Sequence, residues 1–146
     1  MKALEFSIDL NATREKVWNA LWDEDNYRKW TNVFSEGSQV KTDNWKKDSK
    51  IFFVDNTGDG MVARVVENQP PERMSFEHLG QIKNGVEDTE SEAVKIWAGN
   101  RESYFLSETE KGTSLRVTLS IPDDYADYFE NTWPRALEEV KAIAEK

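Results

Sequence analysis

The last 22 residues, Tyr125 to Lys146, constrain the fold of this chain more than any other stretch. Tyr125, Phe129, Trp133, Ala136, Leu137, Val140 and Ala144 recur at steps of three and four, which gathers them on one face of an α-helix. Asp127, Glu130, Glu138, Glu139 and Lys141 fill the other face. Such a helix is not stable alone in water, so its aromatic stripe must lie on an apolar surface. The alternating segments that precede it are the only candidate of that size. The pattern therefore predicts an α+β fold in which a long C-terminal helix lies across a curved antiparallel sheet.

Residues 2 to 10 alternate, with Leu4, Phe6, Ile8 and Leu10 on one side and Glu5, Ser7 and Asp9 on the other, as in a half-buried strand. Thr13 can cap a first short helix carrying Val17, Ala20 and Leu21, and Asp23 can cap a second through Tyr27 to Trp30. Asn11-Ala12-Thr13 has the form of a glycosylation acceptor but is read as a helix entry. Strands are then expected over Gly37 to Thr42, Lys50 to Val54, Met61 to Glu67, Arg73 to Leu79, Arg101 to Ser107 and Thr113 to Ile121. Pro70-Pro71 stops one of them. Gly80 to Gly99 is acidic and irregular and is read as a flexible flap, with a short helix around Ala93 to Trp97. Pro122-Asp123-Asp124 opens the long helix with carboxylates at its positive end.

This order gives about seven strands, with two short helices after the first. Twist accumulates across such a sheet, so it curls around the long helix. Where it curls more tightly than the helix can fill, a cavity remains.

At 146 residues the chain fits one domain. Its 28 acids against 19 bases give a net charge of −9, which repels a phosphate backbone and an anionic membrane surface, so no nucleic-acid partner is expected. Cysteine is absent, which excludes disulfides and thiolate chemistry and fits a reducing compartment. Glu5 interrupts the apolar run that a secretory signal would need, and no stretch approaches the length of a membrane span. A cytoplasmic location is expected.

The best candidates for lining a cavity are Trp45, Phe53, Met61, Phe76, His78, Trp97, Tyr104, Phe129 and Trp133, which lie on facing strands, the flap and the helix. Plain core packing is at least as good an account of each ring taken singly. His78, the one histidine, shares a strand face with Met74 and Phe76 and can reach the cavity as a hydrogen-bonding or acid-base group. The plainer reading puts it at the strand end, solvated or bonded to backbone. Asp55 to Gly60 matches a calcium loop in part, but Val66 stands where the bidentate Glu should be. Arg64 and Arg101 could anchor a carboxylate, although Arg64 is out of phase with Met61, Ala63 and Val65. No metal, no cofactor and no catalytic residue are assigned.

Ala12-Thr13-Arg14-Glu15-Lys16-Val17-Trp18-Asn19-Ala20-Leu21, followed by Tyr27 and Trp30, resembles the opening of the START-like (SRPBCC) superfamily of helix-grip proteins. Trp97-Ala98-Gly99, Glu102-Ser103-Tyr104, Gly112-Thr113-Ser114-Leu115 and the ending around Trp133, Leu137 and Lys141 resemble the same family's late strands and terminal helix. Within the superfamily, the branch of homologues of the heat-shock-protein-ninety ATPase activator is the most similar. The resemblance implies a seven-stranded antiparallel sheet gripping a long helix over an apolar cavity. Its members bind lipids, sterols, polyketides or plant-hormone-like molecules, and some are cyclases or hydrolases. Three functions follow as expectations. The first is binding of a small apolar or aromatic ligand, with the flap as gate. The others are modulation of a chaperone ATPase, and a cyclase or hydrolase activity using His78 with Glu102 or Tyr104.

Overall fold

The computed structural model of the protein describes residues 1–146. The chain runs β1 (Lys2–Leu10), α1 (Arg14–Trp22), α2 (Glu24–Thr31), β2 (Gln39–Lys41), β3 (Lys50–Val54), β4 (Gly60–Gln69), β5 (Arg73–Lys83), β6 (Val86–Asp88), α3 (Glu92–Lys95), β7 (Arg101–Thr109), β8 (Gly112–Ile121) and α4 (Ala126–Ala144). All strand pairs are antiparallel, in the order β1-β8-β7-β5-β4-β3-β2, with β6 paired to β5 beside this path. The sheet has eight strands rather than about seven.

The eighth strand comes from the stretch read as an irregular flap. β5 continues to Lys83, turns at Asn84 and Gly85 with φ of 53° and 79°, and returns as β6. Two successive left-handed residues define the tight hairpin turn that Asn-Gly favours. Gly80 permits the return, because a Cβ there would lie 2.1 Å from the Asp88 carbonyl oxygen. The remainder of the flap holds the one-turn α3, capped by the Ser91 hydroxyl on the Val94 amide.

Caps place the first two helices as the sequence suggests. Thr13 Oγ1 accepts from the Lys16 amide at 3.2 Å, and Asp23 Oδ1 accepts from the Asn26 amide at 3.1 Å. Each satisfies a donor that the first helical turn cannot. Two indoles then tie these helices into the core: Trp30 donates to the Leu21 carbonyl at 3.1 Å and Trp45 to the Trp22 carbonyl at 2.8 Å.

The long helix starts with a 3-10 turn over Asp123–Tyr125 and becomes α-helical at Ala126. Trp133, Ala136, Leu137, Val140 and Ala144 are buried within one cluster of 27 residues shared with the sheet and α1. Phe129 is half-buried, and Tyr125 is 57% exposed because it sits on the 3-10 turn, ahead of the α-helical stripe. No helix is long and apolar enough to cross a membrane.

Candidate functional site

The sheet and the first turns of α4 diverge, and a hollow of about 490 Å³ lies between them. Its walls come from Tyr27 and Trp30 on α2, Phe53 on β3, Met61 on β4, His78 on β5, Glu102 and Tyr104 on β7, Leu119 and Ile121 on β8, and Phe129 and Trp133 on α4. Trp97 and Asn100 close one side from the loop after α3. Across the mouth, the Tyr128 hydroxyl donates to the Phe34 carbonyl and joins α4 to the segment after α2.

Seven of the nine residues expected at the cavity line it: Phe53, Met61, His78, Trp97, Tyr104, Phe129 and Trp133. Trp45 and Phe76 do not. Left-handed backbone at Asn44 and Trp45, with φ of 52° and 58°, turns the indole inward onto Trp22, with ring centroids 5.0 Å apart. Phe76 is fully buried one layer deeper, edge-on to Trp22 at 5.5 Å and against Phe53 at 5.4 Å. Both rings support the wall without forming it.

His78 is neither solvated nor bonded through its ring to backbone. Its Nε2 lies 3.2 Å from Glu102 Oε1, and the two side chains are 16% and 19% exposed. The Tyr104 hydroxyl donates to the other oxygen of Glu102. The backbone of His78 is fixed as well, its amide donating to Asn100 at 2.9 Å and its carbonyl accepting from Gly99 at 2.8 Å. These bonds extend the β5–β7 pairing beyond Glu77–Arg101 and hold Trp97 and Asn100 against the site. His78 Nδ1 is buried without a partner. With Nε2 engaged and Nδ1 enclosed, the imidazole orients Glu102 and presents no free nitrogen to the hollow.

Two phenols surround this carboxylate. Burial, and then the Glu102 charge, push Tyr27 and Tyr104 well above the usual tyrosine value of 10.0, so both keep their protons. The Trp133 indole N–H is a further buried donor with no partner. Asp55 and Asp59 stand at the mouth on the β3–β4 turn. Asp55 Oδ1 accepts from the Thr57 amide at 2.8 Å, the Thr57 hydroxyl at 2.6 Å and the Asp59 amide at 3.3 Å. The Thr57 hydroxyl bond, followed by the amide, holds this carboxyl below its usual range. The part-match to a calcium loop thus reflects a turn whose leading acid caps its own backbone.

Arg64 is an external ion-pair residue, bonded to Asp48 at 3.0 Å and Glu77 at 3.3 Å, and Arg101 is exposed. Neither faces the hollow. Sequence reasoning named Glu102 only as a partner of His78 in an enzymatic reading and not among the cavity-lining residues, although period two on β7 sets it on the same side as the buried Tyr104 and Leu106. It also omitted Tyr27 and Trp30, whose spacing of three on a short helix puts both toward the sheet.

The family model described as Activator of Hsp90 ATPase homolog 1-like protein matches residues 11–145. The chain belongs to this family. Solved structures similar to this chain include the Aha1 dimer from Colwellia psychrerythraea, at 23% identity and a TM-score of 0.74, covering 99% of this chain and 97% of that one. A protein from Mesorhizobium loti matches at 16% identity and a TM-score of 0.73, covering 97% and 96%. Another, from Chromobacterium violaceum, matches at 19% and 0.71, covering 100% and 99%. At such identities the likeness shows the fold alone, which is that of the START-like helix-grip superfamily. Among curated proteins, no sequence relative matches.

Proposed function

We propose that this protein binds a small, largely apolar molecule in the hollow between the sheet and α4. The observation that carries this reading is the lining itself. Rings from α2, α4, three strands and the loop after α3 converge on a space of about 490 Å³ instead of filling it, and a few polar groups are fixed at one place. Small-molecule sites share this size and make-up. Filling the space would displace on the order of 16 waters at ~30 Å³ each, most of them from apolar wall.

A thermal-shift screen with lipids and aromatic amphiphiles tests it. A ligand at a hundred times its Kd stabilises the folded state by about 2.7 kcal/mol, which is a rise of several degrees in Tm. No rise with any compound would count against the proposal.

The family's description favours a second reading, in which the protein modulates a chaperone ATPase. A net charge of −9 suits a basic partner face and would make the association weaken with salt. Unchanged ATPase turnover of the host's heat-shock-protein-ninety chaperone on adding this protein would remove it.

A further inference from the structure

The charges on the cavity wall are of one sign. Asp55, Asp59 and Glu102 are among the 26 lining residues, and no Lys or Arg is. A share proportional to the chain's 19 Lys and Arg in 146 residues would put about three there.

No Lys or Arg pairs with the acid inside the cavity. Glu102 receives hydrogen bonds from the Tyr104 hydroxyl, which is uncharged, and from His78 Nε2. A second proton on the imidazole would sit on Nδ1, which is buried and has no acceptor. An unsatisfied buried donor is costly, so the geometry favours a proton on Nε2, where Glu102 accepts it. The oxygens of Glu102 have lone pairs left for a further donor. Around it, Tyr27, Phe53, Tyr104 and Trp133 present ring systems whose faces attract a cation within ~6 Å. The one fixed positive element nearby, the leading end of α4, carries Asp123, Asp124 and Asp127, so it does not invite an anion.

From these observations we infer that the ligand is a protonated amine on an apolar or aromatic body, with its ammonium at Glu102 and its body against the rings. This inference rests on the binding reading above and narrows it. A ligand carboxylate in the same pose would face Glu102 without a counter-ion among the lining residues.

Two matched series test the inference by quenching of tryptophan fluorescence, backed by calorimetry. One is naphthylmethylamine, naphthalenemethanol and naphthoic acid; the other is dodecylamine, dodecanol and dodecanoic acid. In each, the amine is expected to bind at least about tenfold more tightly than the alcohol, and the acid most weakly. Glu102→Gln should bring amine and alcohol to within about twofold of each other. An acid or alcohol that binds as tightly as its amine overturns the head-group inference and leaves the binding reading standing. An amine preference that survives in Glu102→Gln overturns the role of that carboxylate. Silence across all six compounds overturns both readings. The head-group ranking is read on the unaltered protein, so it holds even if the variant folds poorly.

Discussion

Glu102, His78 and Tyr104 form a unit in which each side chain fixes the next. Removing the carboxylate in Glu102→Ala leaves the Tyr104 hydroxyl and His78 Nε2 without their partner, and a loss of about 1–3 kcal/mol is expected in urea unfolding. Glu102→Gln, which keeps an acceptor, should lose less. The two buried phenols predict an alkaline limit to stability. Their folded values are raised, so the stability they contribute is complete below 10.0 and is lost as pH rises through the higher folded values. Phenolate absorbance from Tyr27 and Tyr104 should therefore appear together with loss of the near-ultraviolet signal, and titration of both in an intact fold would contradict their burial. Much of this chemistry was legible as residue types and little of it as geometry. His78 and Tyr104 stand out by period two on their strands, but their common partner lies on β7, 24 residues beyond His78, where only pairing register brings it near.

Among the elements, the helices and most strands follow from local signals, and the exceptions have physical causes. Lys50 to Val54 was readable to the residue because a run of β-branched and aromatic side chains ends at a turn whose Asp caps itself. The β5–β6 hairpin was missed, although Asn84-Gly85 carries its signature, because the surrounding acids masked the alternation. Gly85→Ala places a Cβ on left-handed backbone and should cost about 1–2 kcal/mol. Hydrogen exchange should show that loss confined to β6 and the end of β5. The β3–β4 turn predicts an acid effect. Asp55 has a lowered folded value, so its contribution is present above 3.8 and fades as pH falls through that folded value. The stability gap between the natural chain and Asp55→Asn should close in this window. Pro134 lies inside α4, where it removes one intrahelical donor; it faces solvent, so water can serve the freed carbonyl while the apolar stripe continues past it. The stripe is anchored by Trp133, which stacks on Phe6 at 5.9 Å and meets Trp30 and Phe34 at 5.9 and 5.1 Å. Trp133→Ala should cost about 3–5 kcal/mol.

At the scale of the molecule, one sheet grips one helix, and the latter half of α4 buries Ala136, Leu137, Val140 and Ala144 in a cluster of 27 residues shared with α1 and the sheet. Toward the start of α4 the same surfaces separate and the wall changes from core to cavity. That division was not readable from sequence, because Trp45 and Phe76 have the same side-chain chemistry as Phe53 and Trp133, and only backbone path and depth decide which of them meets the open space. The net charge of −9 and the wall without Lys or Arg act together, since a cation approaches a negative molecule and then meets a negative site. The most direct measurement is native mass spectrometry of the natural chain beside Met61→Trp, which extends an indole into the hollow from β4. With a compound found by thermal shift, the account predicts a one-to-one adduct on the natural chain and a large loss of that adduct in the filled variant. Equal occupancy of the two proteins would place the ligand elsewhere and contradict a cavity held open under α4.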